Sequence, residues 1–269
     1  MEQLLKIESI QNPRVKLVNK LRKQKIRQES GKTIVEGYRE ILRASESGWK
    51  FEELYFCPEL FLDPDSWQLV SKIKTSQIPV FQCSEAVLRK MSYRNTPDGL
   101  IALSPLVGQS FESLKLPQNP LILVAENLEK PGNLGTILRT ADATGVDAVI
   151  VCDPKTDINN PNVIRASVGT LFFIPIIEAT THETIVWLKE QKIQSIAALP
   201  DAKQNYTQTN LNKSTAIIVG SEDKGLSNHW KIDASEAVSI PMLGKNDSLN
   251  VSTAAAILLY EAIRQRQKK

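Results

Sequence analysis

Three short stretches concentrate polar residues where apolar runs end. In AENLEKPGNLGTILRTA, Pro131 followed by Gly132 and Asn133 sets up a turn and a helix start. Gly135 and Arg139 are four apart and share a helical face, so the glycine clears space beside a guanidinium for another molecule. The same spacing lets Arg139 be a surface residue paired with Asp142, and spacing alone leaves both open. In IIVGSEDKGLS, Gly220 and Gly225 flank Ser221, Glu222, Asp223 and Lys224 directly after an apolar strand. Glycines there permit positive φ and close backbone approach to a ligand; a tight turn with a charged tip has the same composition. The stretch is neither a G-x-G-x-x-G dinucleotide fingerprint nor a Gly-Lys-Ser/Thr phosphate loop. In IPMLGKNDSLNVSTAAAILLYEA, Lys245, Asn246, Asp247, Ser248, Asn250 and Ser252 crowd the start of an Ala-rich helix. Asn250 or Ser248 suffices to cap that helix, which leaves the other polar groups to line a pocket for a polar ligand.

The remaining composition restricts the chemistry. His182 and His229 are isolated, and Cys57, Cys83 and Cys152 are odd in number and far apart, so no metal site and no disulfide framework is expected. Catalysis must run largely without His, Cys or metal. With no signal peptide and no apolar run long enough to span a bilayer, a cytoplasmic protein without a membrane partner is expected. The net charge of +3 is unevenly spread: residues 1–43 carry eleven Lys or Arg against five Asp or Glu. Within NPRVKLVNKLRKQKIR, Arg14, Lys16, Lys20, Arg22, Lys23, Lys25 and Arg27 face no acidic residue. Such a block attracts a polyanion through counterion release, and its imbalance favours nucleic acid over a merely solvated helix face.

The elements that must position these residues alternate between helix and strand. Residues 13–29 read as one helix, followed by strand KTIVEG, helix YREILRASES, strand FEELYFC, helix DSWQLVSKI, strand PVFQCS, helix SEAVLRKMS and strand GLIALS. This makes residues 1–104 a small α/β domain. PLVGQSFESLKLPQN, 105–119, reads as a linker. Residues 120–269 restart with PLILVAEN as a buried parallel strand and the helix PGNLGTILRTADATG, stopped by Gly145. Strand DAVIVCD, helix NVIRASVG, strand LFFIPII, helix ETIVWLKEQ, strand IQSIAAL, two strand-into-loop segments and the final helix complete a parallel α/β domain, with ligand loops where strands end.

Together the three stretches resemble the motifs of the SpoU (TrmH-like) RNA methyltransferases of the SPOUT superfamily. Asn133, Gly135 and Arg139 match the first motif in place. Gly220, Glu222 and Gly225 match the second, with Asp223 where Gly is frequent. Ile240, Pro241, Met242, Ser248, Leu249, Asn250, Val251 and Ser252 match the third. NPRVK followed by IVEGYREI is similar to the opening of the ribosomal-RNA-directed members, whose N-terminal domain resembles small ribosomal proteins.

The resemblance implies S-adenosyl-L-methionine as cofactor and methyl transfer to a ribose 2′-hydroxyl, in large-subunit ribosomal RNA before transfer RNA. It implies a deep trefoil knot in the C-terminal domain and a homodimer through that domain, each site completed by the partner. By position, Gly220, Ser221, Ile240, Met242 and Leu249 would hold the cofactor. Arg139 would activate the hydroxyl or stabilise the forming alkoxide. Asn133 and Glu222 would orient it or the ribose, and Ser248 and Asn250 would hold the loop. The basic block and Arg165 would meet RNA. A knotted RNA-binding module without catalysis and a base-methylating enzyme are the alternatives; a conventional Rossmann methyltransferase lacks its glycine-rich loop here.

Overall fold

The computed structural model describes residues 5–221 and 223–267. The chain forms two compact units, one running through Val107 and including Asn159–Phe173, the other made of Gly108–Ile158 and the chain from Ile174 onward.

The first unit contains β1 (Leu5–Ile7), α1 (Pro13–Lys20), α2 (Gln24–Ser30), β2 (Lys32–Glu36), α3 (Tyr38–Glu46), β3 (Glu53–Phe56), α4 (Ser66–Lys74), β4 (Val80–Cys83), α5 (Glu85–Met91) and β5 (Leu100–Pro105). Its sheet has the order β1-β4-β3-β5-β2, with β1, β4 and β3 parallel and β5 antiparallel to both neighbours. The helix expected over 13–29 is broken in two. Leu21 is buried at the break, and the Arg27 guanidinium reaches back to donate to the carbonyls of Leu21 (2.7 Å) and Arg22 (3.0 Å). These bonds satisfy carbonyls that a helix end leaves free. Strand β1 was not expected, since only one of its three residues is buried.

In the second unit, β6 (Leu121–Glu126), α6 (Pro131–Thr144) and β7 (Ala148–Cys152) follow in order. Pro131 opens α6, and Gly145 at φ +62° closes it in the left-handed conformation. The next helix, α7 (Pro161–Ala166), belongs to the first unit. There the Asn159 side chain pairs with both backbone groups of Val107, and Arg43 donates to the Val168 carbonyl at 2.7 Å. The strand expected at LFFIPII is displaced: Leu171 and Phe172 lie in a 3-10 turn, and β8 (Ile176–Ala179) starts after Pro175. Pro175 has no N–H to give a ladder, which favours a strand starting beyond it.

The second unit continues with α8 (Thr181–Glu190), β9 (Gln194–Ala198), β10 (Gln204–Asn205), β11 (Thr215–Val219), α9 (Asn228–Asp233), β12 (Glu236–Ser239) and α10 (Val251–Arg266). Strands pair in the order β10-β12-β9-β11-β6-β7-β8, and every pairing is parallel. β6 and β11 are buried at every position, as a sheet covered on both faces requires. β6 to β8 run outward in one direction and β9 returns to the other side, so the strand order reverses beside β6. Ligands bind beyond the carboxyl ends of strands at such a reversal. The end of α10 is clasped by its own unit: the Arg266 guanidinium donates to the carbonyls of Asn119, Pro120, Leu211 and Lys213 at 2.7–3.1 Å.

Among the described residues, no helix is long and apolar enough to cross a membrane, and no group of three His, Cys, Asp or Glu is placed to hold a metal ion.

Candidate active site

A pocket of about 370 Å³ opens beyond the carboxyl ends of β9, β11 and β12. Gly220, Ser221, Ile240, Met242 and Leu249 all line it, and so does Ser248. The loop after β11 forms one wall. It closes on itself, with the Gly225 N–H donating to the Ser221 carbonyl at 2.9 Å. Gly225 is at φ +63°. A Cβ on Gly220 would meet the Gly225 carbonyl oxygen and the Leu226 nitrogen at 2.5 Å, so only glycine lets the strand end pass under the loop. The floor is apolar, from Val238, Ile240, Leu249 and Ala254, while Asp201, Lys224, Lys231 and Asp247 stand among the polar lining. Such a cavity takes a ligand with a flat apolar part and charged ends.

The third loop meets the first motif beside this pocket. Asn250 caps α10, accepting from the Ser252 N–H at 2.9 Å and the Ser252 hydroxyl at 2.5 Å. Its Nδ2 donates to Asn133 Oδ1 at 3.4 Å. Asn133 and Ser221 also share a small dimple against the loop. Arg139 stands apart. It is exposed on α6, under two turns and about 9 Å along the axis from Asn133, and does not line the pocket of its own chain. The pairing with Asp142 that spacing allowed is not formed. Glu222 lies outside the described residues.

Comparison with known proteins decides the family. Residues 120–260 match the SpoU rRNA methylase family model, and residues 12–102 match an MRM3-like substrate-binding domain. The chain belongs to the SpoU rRNA methylase family. It is similar to the 23S rRNA (guanosine(2553)-2′-O)-methyltransferase of Bacillus subtilis, at 30% identity over 94% of this chain and 97% of the relative. Among solved structures, one described as an RNA 2′-O ribose methyltransferase has 40% identity and a TM-score of 0.84, covering 98% of this chain and 100% of the other. A second, an AdoMet-bound rRNA methyltransferase from Sinorhizobium meliloti, has 28% identity and a TM-score of 0.88 over 97% and 98% of the two chains.

In this SpoU chain one buried group that the motif reading missed holds the pocket wall in place. Glu126, at the end of β6, is fully buried. Its carboxylate accepts from the Ser227 N–H, the Ser227 hydroxyl and the Thr181 hydroxyl, each at 2.7 Å. It thereby ties the loop that follows Gly225 to the start of α8. A glutamate ending an apolar strand was the available signal. Cys83 and Cys152 are buried, and burial pushes both thiols up to about 12. His182 and His229 are exposed and line no part of the pocket.

The basic block of this methylase-family chain divides. Arg27, expected at the RNA, is instead 2% exposed and spent on the carbonyls of Leu21 and Arg22 just after α1. The helix break turns it inward. Arg14 pairs with Glu53 at 3.3 Å and lies over the Phe81 ring, and Lys25 pairs with Glu29 at 3.8 Å. Lys16, Lys20 and Arg22 converge in one groove, and Lys23 is exposed outside its lining. Arg165 comes to a hollow of the first unit with Arg39 and Arg94.

Proposed function

We propose that this chain transfers a methyl group from S-adenosyl-L-methionine to a ribose 2′-hydroxyl of RNA, with large-subunit ribosomal RNA ahead of transfer RNA as substrate. One observation carries this: all five residues expected to hold the cofactor line a single pocket beyond the carboxyl ends of β9, β11 and β12. Its volume lies within the roughly 300–1,000 Å³ of small-molecule sites. The glycine-walled loop gives backbone groups to a polar ligand, and the apolar floor suits an adenine ring. The ribosomal preference is supported by the 23S-directed relative and by the substrate-binding match over residues 12–102.

When bound, the cofactor supplies a sulfonium methyl that is already electrophilic. The chain's own residues hold the weak nucleophile in line and ease loss of its proton. Alignment of this kind contributes up to about 7–11 kcal/mol. A guanidinium keeps its charge in proteins, and that of Arg139 stabilises the forming alkoxide and orients a neighbouring phosphate that accepts the proton. Asn133, Glu222, Ser248 and Asn250 orient the ribose and hold the third loop. Because Arg139 does not line the pocket of its own chain, Arg139 of the partner subunit completes the site in a homodimer formed through the C-terminal domain.

Residues 120–269 act as the methyltransferase domain, except that Asn159–Phe173 packs with the first unit, while 1–104 act as the RNA-binding domain and 105–119 as the linker. The clasp on Arg266 supports a trefoil knot in which the chain end passes beneath the segment before β6. The protein works in the cytoplasm on this reading, in keeping with its 23S rRNA-directed relative. The test is a map of ribose methylation across total RNA from cells with and without the gene. One 2′-O-methyl mark should vanish from 23S rRNA and return when the purified protein acts on that RNA with the cofactor. Unchanged maps, together with no cofactor binding by calorimetry, would leave only an RNA-binding module.

A further inference from the structure

Two hollows of the first unit open on either side of one short segment. The first is a groove between α1 and α5, lined by Lys16, Lys20, Arg22 and Lys90 with Ile10, Gln11 and Asn19; no carboxylate lines it. The second is larger and lies at the start of α3, where Arg39, Arg94 and Arg165 face Asn95 and Thr96. Arg22 joins them. Its Nη2 donates to the Ser92 carbonyl at 2.5 Å, and its guanidinium lies 5.0 Å from the centre of the Tyr93 ring. Lys90 and Arg94 are four residues apart, hence at most about 14 Å.

Five cations of the two hollows have exposed side chains with no hydrogen bond or ion pair among the described residues: Lys16, Lys20, Lys90, Arg39 and Arg165. Other cations of the unit are matched: Lys32 by Glu52, Arg89 by Glu85 and Arg14 by Glu53. The carboxylates of the second hollow are turned to internal partners. Glu40 and Asp98 hold Arg94 at 2.8 and 3.3 Å, and Asp63 accepts from the Asp65 N–H at 3.0 Å. Arg22 and Arg94 are therefore held in place before any ligand arrives. Tyr93 is half-buried between them and offers part of a ring.

We propose that the two hollows form one track for an unpaired stretch of RNA. Lys16, Lys20, Arg22 and Lys90 grip phosphates at one end, Arg39 and Arg165 grip them at the other, and the strand crosses Tyr93 between. Unpaired RNA is recognised by this combination of cations for the backbone with an aromatic ring and amide or hydroxyl groups for exposed bases. The assignment adds Lys90, Arg39 and Tyr93 to the RNA surface and rests on RNA being the substrate.

The test compares two double variants, Lys16→Gln with Lys90→Gln and Arg39→Gln with Arg165→Gln, against a control, Lys50→Gln with Lys72→Gln, at exposed sites off the track. Binding of a 23S rRNA fragment is followed by fluorescence anisotropy over a salt series. Each track pair removes two phosphate contacts. It should make the slope of log K against log salt shallower by about 1.4–1.8 and weaken binding on the order of tenfold near 0.15 M salt. The control should match wild type. A single-stranded oligonucleotide should compete better than a duplex of the same length. Loss in only one pair would overturn the continuity of the track, and equal competition by the duplex would overturn the single-strand assignment. Methyl transfer with KM for RNA unmoved in both pairs would sink the track and keep the methyltransferase reading. Weakened binding in both pairs of a protein that transfers no methyl group would do the reverse.

Discussion

At the scale of single residues, the proposed function assigns the cofactor to the pocket lining and the nucleophile to Arg139, which lies outside that lining. Arg139 is exposed, forms no hydrogen bond or ion pair among the described residues and does not line the pocket, so Arg139→Ala should leave the melting temperature and the cofactor Kd unchanged. It should lower kcat by about 10²–10³-fold, the usual effect of removing one stabiliser of a developing oxyanion. Calorimetry with the cofactor beside a methyl-transfer assay checks both halves; near-normal turnover would remove Arg139 from the mechanism. Gly220 is the converse case. Gly220→Ala drives a methyl group into the Gly225–Leu226 backbone, which cannot swing aside like a side chain. A cost of about 1–3 kcal/mol in stability is expected, with weakened cofactor binding. Wild-type affinity in that variant would show that the loop is not the cofactor wall.

At the scale of elements, two buried carboxylates fasten segments that the motifs leave unexplained. Removing the Glu126 side chain strands three donors inside the second unit, from Ser227 and Thr181. Glu126→Ala should destabilise by about 2–4 kcal/mol in urea unfolding, since orphaned buried donors keep their desolvation cost. Glu126→Gln, which keeps an acceptor oxygen, should lose less. In the first unit, burial raises the Glu40 carboxyl above its ordinary value of 4.5, against the opposing pull of Arg94. The folded state then binds a proton that the unfolded chain has released. Stability from this group is full below about pH 4.5 and declines as pH rises through the raised folded value. Urea midpoints measured across that window should fall with pH more steeply in wild type than in Glu40→Gln; parallel profiles would show that the carboxyl does not titrate there.

At the scale of the whole molecule, the proposed function makes assembly part of catalysis, because Arg139 does not line the pocket of its own chain. Sedimentation should show a dimer. Mixing inactive Arg139→Ala protein with a pocket-blocked Gly220→Leu protein, after subunit exchange, should restore a fraction of the activity, because one interface then pairs an intact pocket with an intact arginine. A mixture that stays inactive while the subunits demonstrably exchange would place the arginine and the pocket on one chain.

The sequence by itself determined the parallel sheet, the three loops and their residues. Those signals are local: apolar runs such as β6 and β11 that end in polar turns, Pro131 and Gly145 bounding α6, and Asn250 capping α10. Local signals survive without knowledge of neighbours. Only the tertiary structure decided what the charged residues do, because charge type does not encode direction. Arg27 reads like its neighbours, yet turns inward to the carbonyls of a broken helix; Arg165 lies far along the chain, yet joins Arg39 in the first unit. Glu126 reads as the polar end of a strand and becomes the fastening of the pocket wall. Each outcome depends on which buried donor or acceptor lacks a partner, and folding across distant segments supplies that partner.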